Sequence, residues 1–192
     1  MPKIVLFSGK ARAGKDLGAQ FLAKQLRNLG KKTVILHYAD VLKFVAAQWY
    51  GYDGDKSKPE MRSLLQHVGT DIFRANNPGC WVRIVQEIVL GMGDSVDFVL
   101  IPDCRFEDEA SWPKHVGIES IIIRIDRPGF DNGLSKEQKA HPSETELDSY
   151  PMDLYVVNNH GTYEYENTMT SIAGQIENLF TLKEAMSGKA KV

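Results

Sequence analysis

Residues 7–16, FSGKARAGKD, carry a spacing that suits a phosphate: Gly9, four residues, then Gly14 and Lys15. Glycines let successive backbone N–H groups curl around phosphate oxygens. A following helix adds the partial positive charge of its N-terminus, and the lysine ammonium neutralises the β and γ phosphates of a nucleotide. The stretch Gly9, Lys10, Ala11, Arg12, Ala13, Gly14, Lys15, Asp16 and Leu17 is therefore expected to hold ATP. Position 16 departs from the Ser or Thr that usually closes the pattern and touches Mg²⁺. A carboxylate is a hard-oxygen magnesium ligand, directly or through water, so Asp16 keeps the metal function and adds a negative charge. Stabilising the first turn of a helix is the plainer role for the same residue.

Transfer of a phosphoryl group between two anions needs cations and alignment more than it needs a base. In PEMRSLLQHVGTDIFRA (59–75), Met61, Leu64, Leu65, Val68 and Ile72 fall on one helical face. Arg62, Gln66, Gly69 and Phe73 line its flank at about 100° per residue. That flank offers a guanidinium for a phosphate, an amide for a base edge, a glycine for close approach and an aromatic ring for stacking. A solvated face with Phe73 in the core is the alternative.

Asp40 and Lys43 follow the second β-prone run, at the sheet edge where open α/β folds bind ligands. Asp40 serves equally well as a helix N-cap. Asp103 stands just beyond the run DFVLIP, placed to order water around Mg²⁺, and Arg105 reaches the same space. A capping aspartate beside a weak Arg–Glu surface pair is the competing account. Glu107 and Glu109 are expected in solvent. His37, His67, His115 and His160 show no ligand spacing and read as structural, and Ser143 with Glu146 reads as a capping box.

These residues need a frame. Apolar runs recur at 3–8, 33–38, 97–102, 120–125 and 154–159, continuous rather than alternating, as in parallel strands covered on both faces. Leu17, Phe21, Leu22, Leu26 and Leu29 recur at helical spacing before the glycine stop in NLGKK. The expectation is an α/β fold: a three-layer α/β/α P-loop arrangement with a central parallel five-stranded sheet. Two polar excursions, 51–80 and 127–150, interrupt it, and the C-terminal SGKAKV is expected to fray. At 192 residues, 43% hydrophobic, the chain suits one domain. A net charge of −2 gives no global field for a nucleic-acid polymer. Cys80 and Cys104 lack metal spacing and read as reduced thiols, and no apolar run approaches the roughly 18 residues of a membrane span. The reading is a cytoplasmic protein.

In order, SGKARAGKD, YADVLK (38–43), RSLLQHVGTDIFR (62–74), IPDCRFEDEA (101–110) and HPSETELD (141–148) resemble the deoxynucleoside monophosphate kinases of tailed bacteriophages, members of the P-loop nucleoside-monophosphate kinase superfamily. The resemblance covers about residues 3–170. Its loops commonly end in Gly-Lys-Asp, as here, although Leu17 stands where Thr is frequent. It implies one kinase domain over 1–192, with core segments 1–50, 81–126 and 151–185, a monophosphate-binding insertion at 51–80 and a lid at 127–150. It implies ATP and Mg²⁺ as cofactors, a deoxynucleoside monophosphate as acceptor, a role in phage DNA precursor supply, and a homodimer. By the same resemblance Arg62, Gln66, Asp71 and Arg74 contact the acceptor, and Asp103 and Arg105 match an Asp-x-Arg-Phe element. Arg127 becomes a catalytic lid arginine, His141 and Glu144 take substrate or lid roles, and NNHGT (158–162) meets the adenine. A kinase of phosphomevalonate or dephospho-coenzyme A, or a non-catalytic nucleotide-binding module, are the rival readings.

Overall fold

The apolar run 3–8 becomes β1 (Lys3–Ser8), the central strand of the sheet. A computed structural model describes residues 1–55, 58–159 and 161–188, without the side chains of 184 and 186–188. His160, and residues 189–192 of the segment expected to fray, lie outside the described residues. With β2 (Thr33–Ile35), β3 (Phe98–Ile101), β4 (Ser120–Asp126) and β5 (Leu154–Val157), β1 builds a wholly parallel sheet in the order β2-β3-β1-β4-β5. The order reverses at β1, so the loop leaving its carboxyl end opens into a crevice between neighbouring connections.

Alternate strand residues feed two apolar cores, one on each face. On one, Val5, Phe7, Leu100, Ile121 and Ile123 meet Leu22 and Leu26 of α1 (Lys15–Asn28) and Tyr165, Met169 and Phe180 of α8 (Thr162–Gly188). On the other, Ile4, Leu6, Val99 and Ile122 meet Val82, Val85 and Val89 of α4 (Cys80–Met92) and Trp112 of α5 (Glu107–His115). Burial on both faces is why these strands read as continuous apolar runs. Each large aliphatic side chain so buried contributes about 1.5–3 kcal/mol.

Three strands, β2, β3 and β5, are shorter than their apolar runs, and side chains end β2 and β5. Both carboxylate oxygens of Asp103 accept from backbone N–H groups, Tyr38 at 3.0 Å and Ala39 at 2.9 Å. That pair turns the chain out of β2 and starts α2 (Ala39–Trp49). Asn158 closes β5 by donating from its amide to the Ala13 carbonyl at 3.0 Å. In α1 the buried face is Gly18, Ala19, Leu22, Ala23 and Leu26, whereas Leu17 and Leu29 are exposed. Gly18 is required there: a Cβ would stand 2.2 Å from the Tyr165 hydroxyl.

The first excursion holds α3 (Pro59–Gln66), which runs directly into a π-helical stretch, His67–Arg74. The i→i+5 ladder of a π-helix puts more residues in each turn than an α-helix does. Residues late in the stretch therefore rotate away from where a 100° spacing places them. The second excursion holds α6 (Lys136–Ala140) and α7 (Pro142–Thr145). Here the capping box is Ser135 with Gln138, and the N-cap of α7 is His141, whose Nδ1 accepts from Ser143 N–H. Glu146 instead accepts from the Glu107 N–H at 2.9 Å, so the expected Ser143–Glu146 box does not form.

Candidate active site

The loop between β1 and α1 has the conformation its glycines permit. Gly9 adopts φ 142° and Gly14 φ 101°, and Cβ atoms there would lie 2.3 Å from the Ile125 carbonyl oxygen and 2.5 Å from the Asn158 amide nitrogen. Arg12 also has positive φ, 61°. Lys15 is buried, and its Nζ donates to the carbonyls of Gly9 (2.7 Å) and Lys10 (2.8 Å). Burial, and then repulsion from Arg105, lowers its pKa to about 7.

The loop separates two cavities. The first, about 430 Å³, is lined by Ala11, Arg12, Lys15 and Asp16 of the loop, by Asp103 and Arg105 after β3, and by Arg62, Leu65, Gln66, Gly69 and Thr70 of the first excursion. Lys43, Leu42, Arg74, Trp81, Phe106, Glu109 and Glu144 also line it. The second, about 510 Å³, lies against Lys10, Ala11, Ala13, Arg124, Arg127, Phe130 and Val157. The loop, the strand-end acid Asp103 and Arg62, far apart in sequence, thus share one space.

Several expected contacts lie elsewhere. Phe73 packs on Trp81 with ring centroids 5.2 Å apart, rotated off the Arg62–Gln66 flank by the π-helical stretch, and Trp81 lines the cavity instead. Asp71 is exposed and faces His67 at 3.1 Å. Arg74 borders the cavity, yet its guanidinium pairs with Asp108 and Glu109 and lies 3.8 Å from the Phe106 ring centroid. Its partner Glu109, expected in solvent, is buried, and that burial raises its pKa to about 8. Gly69 lines the cavity and also makes room for α2, since a Cβ would stand 2.6 Å from Leu42 Cδ2. Asp40 lies outside the cavity lining and pairs with Lys43 at 2.8 Å. His141 also lies outside it and caps α7. Arg127 belongs to the second cavity, with its guanidinium 3.7 Å from the Phe130 ring centroid and one nitrogen 3.3 Å from the Arg12 carbonyl oxygen.

The second excursion is closed over the loop. Lys10 Nζ donates to the Glu144 carbonyl (2.6 Å) and to Asp148, and Arg12 donates to the Asn132 carbonyl (3.0 Å). Gln66 reaches Ser143 Oγ at 3.3 Å, and Gln138 donates to Ser63 Oγ at 3.1 Å. Glu144, whose side chain is 2% exposed, sits at the centre of this contact.

His37 and Trp81 are the residues that spacing gave no reason to choose. His37 lines the first cavity and links Asp16 (3.0 Å) to Asp40 (3.3 Å), and the hydrogen bond to Asp16 raises its pKa. Its position straight after β2, level with the loop, was the one available signal. Four carboxylates line this cavity among the described residues; Glu109 and Glu144 are paired with Arg74 and Arg105, which leaves Asp16 and Asp103 as the candidate hard-oxygen donors for magnesium. No group of three or more His, Cys, Asp or Glu is placed to hold a metal among the described residues. Two carboxylates suit Mg²⁺, which keeps several waters and takes further oxygens from a bound phosphate. No described helix is long and apolar enough to cross a membrane.

No protein-family model matches the chain. The phosphomevalonate kinase of Drosophila melanogaster is 29% identical over 129 residues, 64% of this chain and 66% of that protein, so the match spans just under two thirds of the relative. Among solved structures, a sugar kinase from Janibacter sp. HTCC2649, unliganded, aligns over 90% of this chain and 92% of its own at 12% identity and TM-score 0.51. The Mycobacterium tuberculosis APS kinase CysC, in complex with AMPPNP and APS, aligns over 94% and 98% at 17% identity and TM-score 0.49. The chain has a three-layer α/β fold with a five-stranded parallel sheet, a fold it shares with the sugar kinase.

Proposed function

We propose that this protein is a magnesium-dependent kinase that transfers the γ-phosphoryl group of ATP to a deoxynucleoside 5′-monophosphate, giving the diphosphate and ADP. One observation carries the reading: Lys15, Asp16, Asp103, Arg105 and Arg62 line a single cavity, with Gln66, Trp81 and Phe106 beside them. A donor's phosphates fit the loop at 9–16, and its base fits the second cavity on the far flank. An acceptor's phosphate fits between Arg62 and Arg105. Gln66 supplies an amide for a base edge and Trp81 the aromatic face that Phe73 does not.

In this arrangement an acceptor phosphate oxygen attacks the γ phosphorus in line, and the bond to the β–γ bridging oxygen breaks. Lys15, Arg62 and Arg105 offset the repulsion between two polyanions and the charge on the transferring group. The closed second excursion keeps water from competing as the acceptor. Asp16 and Asp103 would hold Mg²⁺, which when bound supplies further charge neutralisation on the phosphates.

A second reading has its own support: the 29% identical Drosophila relative is a phosphomevalonate kinase, and Leu42 and Leu65 give the cavity an apolar wall. A coupled ADP-release assay across the four deoxynucleoside monophosphates and phosphomevalonate separates them. Turnover of a deoxynucleotide is the expected outcome. Turnover of phosphomevalonate alone replaces the substrate, and ATP binding without turnover of any acceptor leaves a nucleotide-binding module.

A further inference from the structure

Three of the cationic side chains that line the first cavity bear on one another: Lys15, Arg62 and Arg105. Burial, and next the nearness of Arg105, lowers the Arg62 pKa, and Arg105 likewise disfavours the charged form of Lys15. Like charges at this range push apart, and flexible arginine stems splay toward solvent unless a counter-charge holds them. Their arrangement shows no such splaying. The Arg62 side chain is 19% exposed and that of Arg105 23%.

A single carboxylate accounts for this. Glu144 Oε1 accepts from Arg105 Nη1 and lies 3.8 Å from Arg62 Nη1, while Oε2 accepts from the Ala11 N–H of the loop at 2.8 Å. The Ser143 carbonyl takes a second bond from Arg105 Nη1 at 2.7 Å. One buried acid thus touches the donor loop and both acceptor-side guanidiniums. A buried carboxylate persists only when it is paired, and here the pairing spans the two substrate sites.

We propose that Glu144 is a positioning residue: its charge holds Arg105 and Arg62 converged and tied to the loop, so that the cations are already in place when the two phosphates arrive. The role differs from that of a substrate contact in burial: the side chain is 2% exposed, with Oε1 turned to Arg105 and Arg62 and Oε2 to the Ala11 N–H. Arg105 is fixed by hydrogen bonds, whereas Arg62, at 3.8 Å, is near enough to be held and loose enough to turn to an acceptor. The consequence for catalysis rests on the kinase reading; the consequence for arginine order does not.

The test uses Glu144→Gln in the full chain, which keeps the shape and an oxygen for the Ala11 N–H but removes the charge. The first measurement is the ¹⁵N spectrum of the arginine guanidiniums, with Arg27, held by the Thr33 carbonyl at 2.8 Å, as the internal reference for an intact fold. Wild type should show hindered rotation for Arg105, and the variant should lose it while Arg27 keeps its signal. The second is steady-state kinetics with whichever acceptor turns over: kcat should fall on the order of 10–100-fold, as for a slightly misplaced reacting group, with the acceptor KM within about threefold. An unchanged Arg105 signal in the variant, or a loss carried by KM alone, overturns the proposal. Absence of turnover in the wild type defeats the kinase reading, and the spectrum still decides the role of Glu144.

Discussion

The loop at 9–16 and the wall built from residues 59–81 face each other across one cavity, and they are held by different forces. Backbone geometry and close packing hold the loop: two glycines at positive φ press against the Ile125 carbonyl and Asn158, and Lys15 is bonded to loop carbonyls. Side-chain pairs hold the wall: Arg74 to Asp108 and Glu109, Gln66 to Ser143, Arg62 near Glu144. The loop is therefore formed before any ligand arrives, whereas the wall depends on charges that an anionic acceptor can compete for. Damage to the loop should abolish turnover, and damage to the wall should weaken one substrate and spare the other.

The sharpest break is Lys15→Ala. Removing the buried ammonium beside the expected triphosphate should lower kcat/KM by about 10²–10³-fold in a coupled ADP-release assay, the scale seen when one donor to a developing charge is lost. Retention of more than a tenth of the activity would place the transferring phosphate elsewhere.

Arg62→Ala tests the other side. Loss of one charge-assisted contact, about 1.5–3 kcal/mol, corresponds to roughly 10–150-fold in acceptor kcat/KM. ATP affinity, measured by calorimetry, should stay within about twofold. Equal weakening of ATP and acceptor would end the division between loop and wall.

The same contrast explains what the sequence made legible. The loop could be read because its pattern is local, each glycine answering a backbone need of its own. The five strands could be read because burial on both faces leaves an apolar run. Their ends could not, because Asp103 acts on the end of β2 from far along the chain and Asn158, at the end of β5, bonds an equally distant partner, Ala13. The wall failed at Phe73, where a uniform helical period was assumed and the π-helical stretch broke it. His37 and Trp81 carry no spacing signal, since their partners Asp16 and Gly69 are fixed only by the fold. Glu144 came forward only through resemblance, and Glu109 was misplaced because Arg74, its partner, lies 35 residues away.

A smaller effect comes from the ground between the two regions. The Tyr38 hydroxyl donates to the Glu109 carbonyl (2.8 Å) and accepts from Trp112 Nε1 (2.6 Å), all buried behind the wall. Tyr38→Phe leaves a donor and an acceptor unpaired and should cost about 1–3 kcal/mol. In a chain of this size each kcal/mol lowers Tm by about 2–4 °C in a melting experiment. A melting point equal to wild type would show that the wall does not lean on this bond.

The smallest effect is a proton, and it separates the loop from the wall by sign. Lys15 titrates at about 7 in the folded chain against 10.5 for an ordinary lysine, so between those values the folded state binds fewer protons than the unfolded. Its contribution to stability is present above pH 10.5 and is lost as pH falls through 7. Glu109 does the reverse. Its pKa rises from 4.5 to about 8, so its contribution is present below 4.5 and is lost as pH rises through 8. Glu109→Gln should accordingly flatten the fall in stability between pH 5 and 8, read by urea unfolding at several pH values. ATP should reach only Lys15. At pH 8 the empty loop holds that amine mostly neutral, and phosphates beside it restore the ammonium, so binding should take up about one proton or less. Calorimetry in two buffers of different ionisation enthalpy measures that uptake. If the apparent binding enthalpy is the same in both, the ammonium is already charged before the donor arrives, and burial is not what tunes the loop.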